Sequence, residues 1–435
     1  MERFALSRMK EWKENENRKP LIIRGARQVG KTWIMKTFGQ QYFEKTAYVN
    51  FDNNARMKQV FEGDLDIERL VLSISAETGV SIEAENTLII FDEVQEVPKA
   101  LTSLKYFYEN APQYAIVAAG SFLGVALHQG TSFPVGKVDF LDLYPLNFRE
   151  FLCAMGEKQF VSMLDSCDTQ MVTVFKTKYI ERLREYYFVG GMPEVVKDFS
   201  EKKDYNRVRV IQKNLINYYQ QDFSKHAEIK LVPRLNLVWN SIPMQLAKEN
   251  KKYIYGQVRE GSRAKDFELA IQWLLDCGLI HKVQRIQKPD LPLKAYIDFD
   301  AFKLFLVDIG LLIAMTDLDA KVIIEGNKIF TEFKGSLTEQ YILQQLISDV
   351  GVIPYYYSTQ NSKGEIDFLV QGKTSVIPIE VKAEENLKAK SLKAFCEKYQ
   401  PSYAVRTSMS DYREQDWMTN IPLYAVKWIK NYVNQ

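Results

Sequence analysis

Leu21-Ile22-Ile23-Arg24-Gly25-Ala26-Arg27-Gln28-Val29-Gly30-Lys31-Thr32 has the pattern of a short apolar strand running into a glycine-bounded loop. Trp33, Ile34, Met35 and Phe38 then continue as a helix. In that strand–loop–helix setting GxxxxGK[ST] is a phosphate-binding loop. Its glycines let backbone N–H groups curl around an anion at the positive end of a helix. Gly25, Ala26, Arg27, Gln28, Val29, Gly30, Lys31 and Thr32 are therefore the expected nucleotide contacts. Lys31 should reach the β- and γ-phosphates, and the Thr32 hydroxyl should ligate Mg²⁺.

A second apolar run, Leu88-Ile89-Ile90-Phe91, ends in Asp92-Glu93. Asp92 is expected to hold Mg²⁺ through water, and Glu93 to polarise the attacking water. A third run, Tyr114 to Ala119, delivers Gly120 and Ser121. Ser121 is either a sensor of the γ-phosphate or a helix N-cap, and the two roles can coexist. ATP and Mg²⁺ are the implied cofactors.

The 435 residues suit several domains, and the 46% hydrophobic and 26% charged composition is that of a globular protein. Met1 to Pro20 is charged and has no apolar signal-peptide core. Ala301 to Met315 is apolar but is interrupted by Lys303 and Asp308 and is too short for a bilayer span. A cytoplasmic protein with no membrane partner is the expectation. The four cysteines are widely spaced, so neither a disulfide framework nor a zinc site is suggested. A net charge of +2 makes no global case for nucleic acid. DNA would have to meet local patches, such as the basic runs at Arg207 to Lys213 and Lys382 to Lys398.

Tyr144-Pro145-Leu146-Asn147-Phe148-Arg149-Glu150-Phe151 and Gly190-Gly191-Met192-Pro193 follow the three nucleotide elements in order. Together these motifs resemble the prokaryotic AAA+-type ATPases that carry a DUF4143 C-terminal region. The resemblance implies an ATP-binding core, a helical lid, a winged-helix segment and a C-terminal region related to restriction-endonuclease-like nucleases. It also implies that Pro193 lies near the adenine, although Gly-Gly between helical stretches reads by itself as a turn. Many relatives have Gly-Arg before the Pro-Leu-x-Phe segment, where this chain has Gly136-Lys137. Arg149 is a weaker stand-in for that charge donor, with a surface ion pair as its alternative fate.

Between Leu231 and Lys288 two amphipathic helices precede a strand, the order of a winged helix, with Arg259, Arg263 and Lys265 at the start of the second. In the last hundred residues Glu339 shares a helix face with Ile342 and Leu343. Asp367 lies on one strand, and Glu380 and Lys382 share a face of the next. A Lys-rich helix and a last strand complete an αβββαβ order. It resembles the PD-(D/E)xK nuclease superfamily, which implies Asp367 and Glu380 as ligands of a second Mg²⁺ or Mn²⁺, with Lys382 and Glu339 in support.

The expected architecture is α/β. A P-loop core (1–157) with a parallel sheet would be followed by a helical lid (158–230), a winged-helix segment (231–315) and a nuclease-like α/β domain (316–435). The expected function is ATP binding and hydrolysis by a protein that acts on or is bound to DNA. The alternative is a non-cleaving, ATP-dependent switch that binds a protein or DNA partner.

Overall fold

The computed structural model describes residues 2–121, 133–248, 251–325, 331–359, 364–385 and 389–435. The chain divides into two compact units: Glu2–Tyr144 with Asp276–Leu279, and Pro145–Leu275 with Ile280–Gln435.

The first unit is built on a five-stranded sheet of β1 (Leu21–Arg24), β2 (Lys45–Asn50), β3 (Thr87–Asp92), β4 (Ala115–Ala119) and β5 (Asp139–Asp142). The strand order is β2-β3-β4-β1-β5, and every pairing is parallel. A parallel sheet covered on both faces selects continuous apolar runs, and β3 and β4 are buried at every residue. The order matters for function. It puts β4 between β1 and β3, so Thr32, Asp92 and Ser121 all leave the carboxyl edge of adjacent strands, where open α/β sheets bind ligands.

The second unit joins a run of helices to an eight-stranded mixed sheet. Its strands are β6 (Ile280–Ile286), β7 (Ile297–Leu306), β8 (Tyr355–Ser358), β9 (Glu365–Gln371), β10 (Val376–Val381), β11 (Val405–Ser408), β12 (Arg413–Gln415) and β13 (Met418–Pro422). The order is β12-β13-β11-β10-β9-β8-β6-β7. The helices Thr331–Gln345 and Lys390–Tyr399 flank β8–β10, which gives the αβββαβ succession expected from sequence. The hairpin expected as the wing of a separate domain is different. β6 pairs antiparallel with β7 but also parallel with β8, so the hairpin extends the C-terminal sheet. Pairing satisfies an edge that would otherwise be exposed. The expected boundaries after 230 and 315 both fall inside this unit.

Two motifs read separately in the sequence are two sides of one contact. Leu146 N–H donates to the Gly191 carbonyl at 2.7 Å, and Gly191 N–H donates to Asp308 Oδ2 at 2.6 Å. Asp308 is fully buried, and burial pushes its carboxyl up to about 6. A Cβ on Gly191 would stand 2.1 Å from the Leu146 carbonyl oxygen, an atom that cannot move aside. Pro193 opens the helix Pro193–Lys202 in the first turn, where its missing N–H costs nothing.

Gly191→Ala should therefore destabilise the second unit by about 3 kcal/mol through overpacking. Gly156 has a φ of +84° but open space around it, so Gly156→Ala should cost only the left-handed strain, about 1 kcal/mol. Urea unfolding of both variants checks the difference.

Candidate nucleotide-binding site

The helix Lys31–Tyr42 starts at Gly30, which has a φ of 95°, and no side chain caps it. The first N–H groups of a helix have no partner within it, so an uncapped start is open to an anion. Gly25 and Gln28 also have positive φ, 150° and 66°, and with Gly30 they turn the loop backbone around the helix start. A Cβ at Gly25 would lie 2.1 Å from the Leu143 carbonyl oxygen, so glycine is required there for close approach as well. Arg3, ahead of the first helix, donates to the Val29 carbonyl at 3.0 Å and props the loop from below.

Lys31 is only 6% exposed and folds back, donating to the Gly25 and Ala26 carbonyls at 2.8 Å each. Burial brings its ammonium down to about 8, against the opposing charges of Glu93 and Asp92. Thr32 Oγ1 donates to Asp92 Oδ2 at 2.7 Å. A hydroxyl and a carboxylate converging at the foot of a phosphate loop form a hard-oxygen donor set, which fits Mg²⁺.

Glu93 follows Asp92 in a left-handed conformation, φ 50°, which is uncommon for a non-glycine residue and recurs at functional sites. Its carboxylate accepts from Gln95 Nε2 at 2.8 Å, from Ser121 N–H at 3.3 Å and from Ser121 Oγ at 3.2 Å. Glu93 and Ser121, read from separate strands in the sequence, thus meet directly. The helix that Ser121 would cap lies outside the described residues.

In the second unit the four C-terminal candidates fall into two pairs. Glu339 and Asp367 meet in a largely buried cluster, where Lys251 pairs with Glu339 and Lys303 pairs with Glu365. Lys303 Nζ also lies 3.7 Å from Glu339 Oε2. Burial alone would lower the Lys303 ammonium, but Glu339, Glu365 and Asp367 hold it above its usual range. Burial and the Glu339 charge push Asp367 well above the usual carboxylate range. Asp367 Oδ2 also accepts from Val381 N–H at 2.7 Å. Lys382 Nζ pairs with Glu380 Oε1 at 2.8 Å. Among the described residues no group of three or more His, Cys, Asp or Glu side chains is placed to hold a metal ion.

Family models match three stretches: an AAA domain over residues 17–152, DUF8612 over 180–322 and DUF4143 over 334–426. The chain is an AAA-type P-loop protein with a DUF4143 domain. No curated protein sequence matches it. Among solved structures it is similar to the Walker-type ATPase PABY2304 of Pyrococcus abyssi, at 14% identity over 72% of this chain and 95% of that one, with a TM-score of 0.44. The Aeropyrum pernix ORC1 protein in complex with DNA matches at 13% identity over 72% and 91%, with a TM-score of 0.27. The Thermotoga maritima RuvB Holliday junction branch migration motor matches at 12% identity over 64% and 87%, with a TM-score of 0.28.

Several side chains of this AAA protein differ from their expected places. Arg149 is 6% exposed and bonds Asp349 Oδ1 at 2.8 Å and Asp165 Oδ2 at 2.7 Å, so its pair with Asp349 is buried while the one with Asp165 opens to the surface. Lys137, where relatives carry arginine, pairs with Glu109 at 3.0 Å. Tyr48 OH donates to Asp92 Oδ2 at 2.9 Å, and no motif pointed to it. Its one signal is position: β2 runs beside β3 with Asn50 level with Asp92. Lys303 stood out in the sequence only as a charge interrupting an apolar run. Among the described residues no helix is long and apolar enough to cross a membrane.

Lys303→Met would leave Glu339 and Glu365 short of a buried counter-charge and should destabilise the protein by about 3–5 kcal/mol. Lys202→Met, at the exposed pair with Asp198, should change stability by no more than about 0.5 kcal/mol. Chemical denaturation curves of the two variants provide the comparison.

Proposed function

We propose that the chain binds ATP with Mg²⁺ and hydrolyses it at the loop Gly25–Thr32. The observation that carries this reading is the convergence of the uncapped helix start, the Thr32 hydroxyl and the Asp92 carboxylate. In this reading Lys31 leaves the Gly25 and Ala26 carbonyls for the β- and γ-phosphates. Thr32 and Asp92 hold the metal, which neutralises charge on the phosphates. Glu93 orients water and Ser121 reads the γ-phosphate.

The same reading treats the DUF4143 region as nuclease-like in its order of elements but non-cleaving. Supporting this, the two expected ligands are taken up separately, Glu380 by Lys382 and Asp367 by the cluster in which Lys251 and Lys303 compensate Glu339, so the residues do not fit a second metal. The protein would then act as a nucleotide-dependent switch. DNA is a second partner reading, favoured by the exposed Arg259, Arg263 and Lys265 around the start of the helix Ala264–Asp276.

Steady-state phosphate release tests the first part. Lys31→Ala should weaken ATP binding by at least about a hundredfold, through loss of charge-assisted hydrogen bonds. Glu93→Gln should keep ATP binding and lose about 10²–10⁴ in turnover, the usual share of a general base. Wild-type protein that binds ATP but releases no phosphate under any Mg²⁺ condition would overturn hydrolysis.

DNA binding is tested by its salt dependence. Arg263→Glu with Lys265→Glu should make the log–log slope shallower by about 2, since each neutralised phosphate releases roughly one counterion. An unchanged slope, or no binding in any nucleotide state, would leave a protein partner for the switch.

A further inference from the structure

We propose that Tyr48 is a positioning residue for the nucleotide site, fixing the plane of the Asp92 carboxylate so that it presents its free lone pairs to the metal. The inference rests on the ATP and Mg²⁺ reading above and extends it to a residue outside every motif.

The strand pattern separates Tyr48 from the core. Its neighbours Ala47 and Val49 belong to the buried cluster of the first unit, whereas alternation turns Tyr48 to the other face. There its hydroxyl meets Asp92 Oδ2 at 2.9 Å, the same oxygen that accepts from Thr32 Oγ1 at 2.7 Å. Among the described residues the second oxygen, Oδ1, accepts from Glu93 N–H alone, at 3.1 Å. Glu93 N–H holds Oδ1, and two hydroxyls arriving from different elements, the helix Lys31–Tyr42 and strand β2, fix Oδ2 from two directions. Such partners of a metal ligand orient it and raise its affinity without touching the ion.

A further contact strengthens the donor. Lys36 lies one helical turn beyond Thr32 and places its ammonium 3.7 Å from the centre of the Tyr48 ring. A cation over a phenol face draws electron density from the ring, which makes the hydroxyl a better hydrogen-bond donor. The helix that carries the metal hydroxyl therefore also tunes the tyrosine that holds the metal carboxylate.

The test is Tyr48→Phe, which removes the hydroxyl but keeps the ring under Lys36. Mn²⁺ is titrated into the complex with ADP and followed by the electron paramagnetic resonance of the free ion. ADP affinity is measured separately in EDTA. The expected result is Mn²⁺ binding about tenfold weaker, as for other partners of metal ligands, with unchanged ADP affinity in EDTA. Unchanged Mn²⁺ affinity would overturn the assignment, and so would an equal loss of ADP affinity in EDTA, which is the mark of a purely structural role. Wild-type protein that binds no ADP would sink the underlying nucleotide reading instead, and that failure is visible before any variant is made.

Discussion

The helix Lys31–Tyr42 begins with its first N–H groups uncapped, and most of the first unit can be understood from that single deficit. Unsatisfied helix-start donors are tolerated where water or an anion can reach them. The glycines at 25 and 30 curve the preceding loop, and Arg3 props it at Val29. The parallel order of β4, β1 and β3 then brings Ser121, the loop and Asp92-Glu93 to the same edge. Within this site the polar groups satisfy one another: Lys31 with loop carbonyls, Thr32 with Asp92, and Glu93 with Ser121 and Gln95. Each of these contacts is made by a side chain whose proposed partner is the nucleotide, its metal or its water.

The C-terminal cluster shows the opposite economy of charge. Glu339, Asp367 and Glu365 are balanced by Lys251 and Lys303. Buried charge without such partners would cost several kcal/mol per ion. The physical contrast between the two units lies there: one leaves donors open for a ligand, and the other sets lysines against its carboxylates.

The sequence exposed the first unit well because its signals are local. A phosphate loop needs its glycines, lysine and threonine within eight residues, and a buried parallel strand is an unbroken apolar run, as in β3. The αβββαβ succession was equally legible. Other features depend on contacts distant in sequence. The hairpin of β6 and β7 looked like a wing because its pairing with β8, some seventy residues on, leaves no local mark. Lys303 and Lys251 enter their cluster from outside the helix and strands that carry the carboxylates. Tyr48 reaches Asp92 only through the register of β2 on β3. The Gly190-Gly191 turn was visible as a turn, but its fit against Leu146 and Asp308 was not.

Calorimetric titration of ATP into the wild-type protein, with Mg²⁺ and again with EDTA, is the most direct measurement of the central claim. The account predicts one nucleotide bound per chain, and tighter binding when Mg²⁺ is present, because Thr32 and Asp92 then share a cation with the phosphates. No heat of binding in either condition, or an affinity indifferent to the metal, would contradict it.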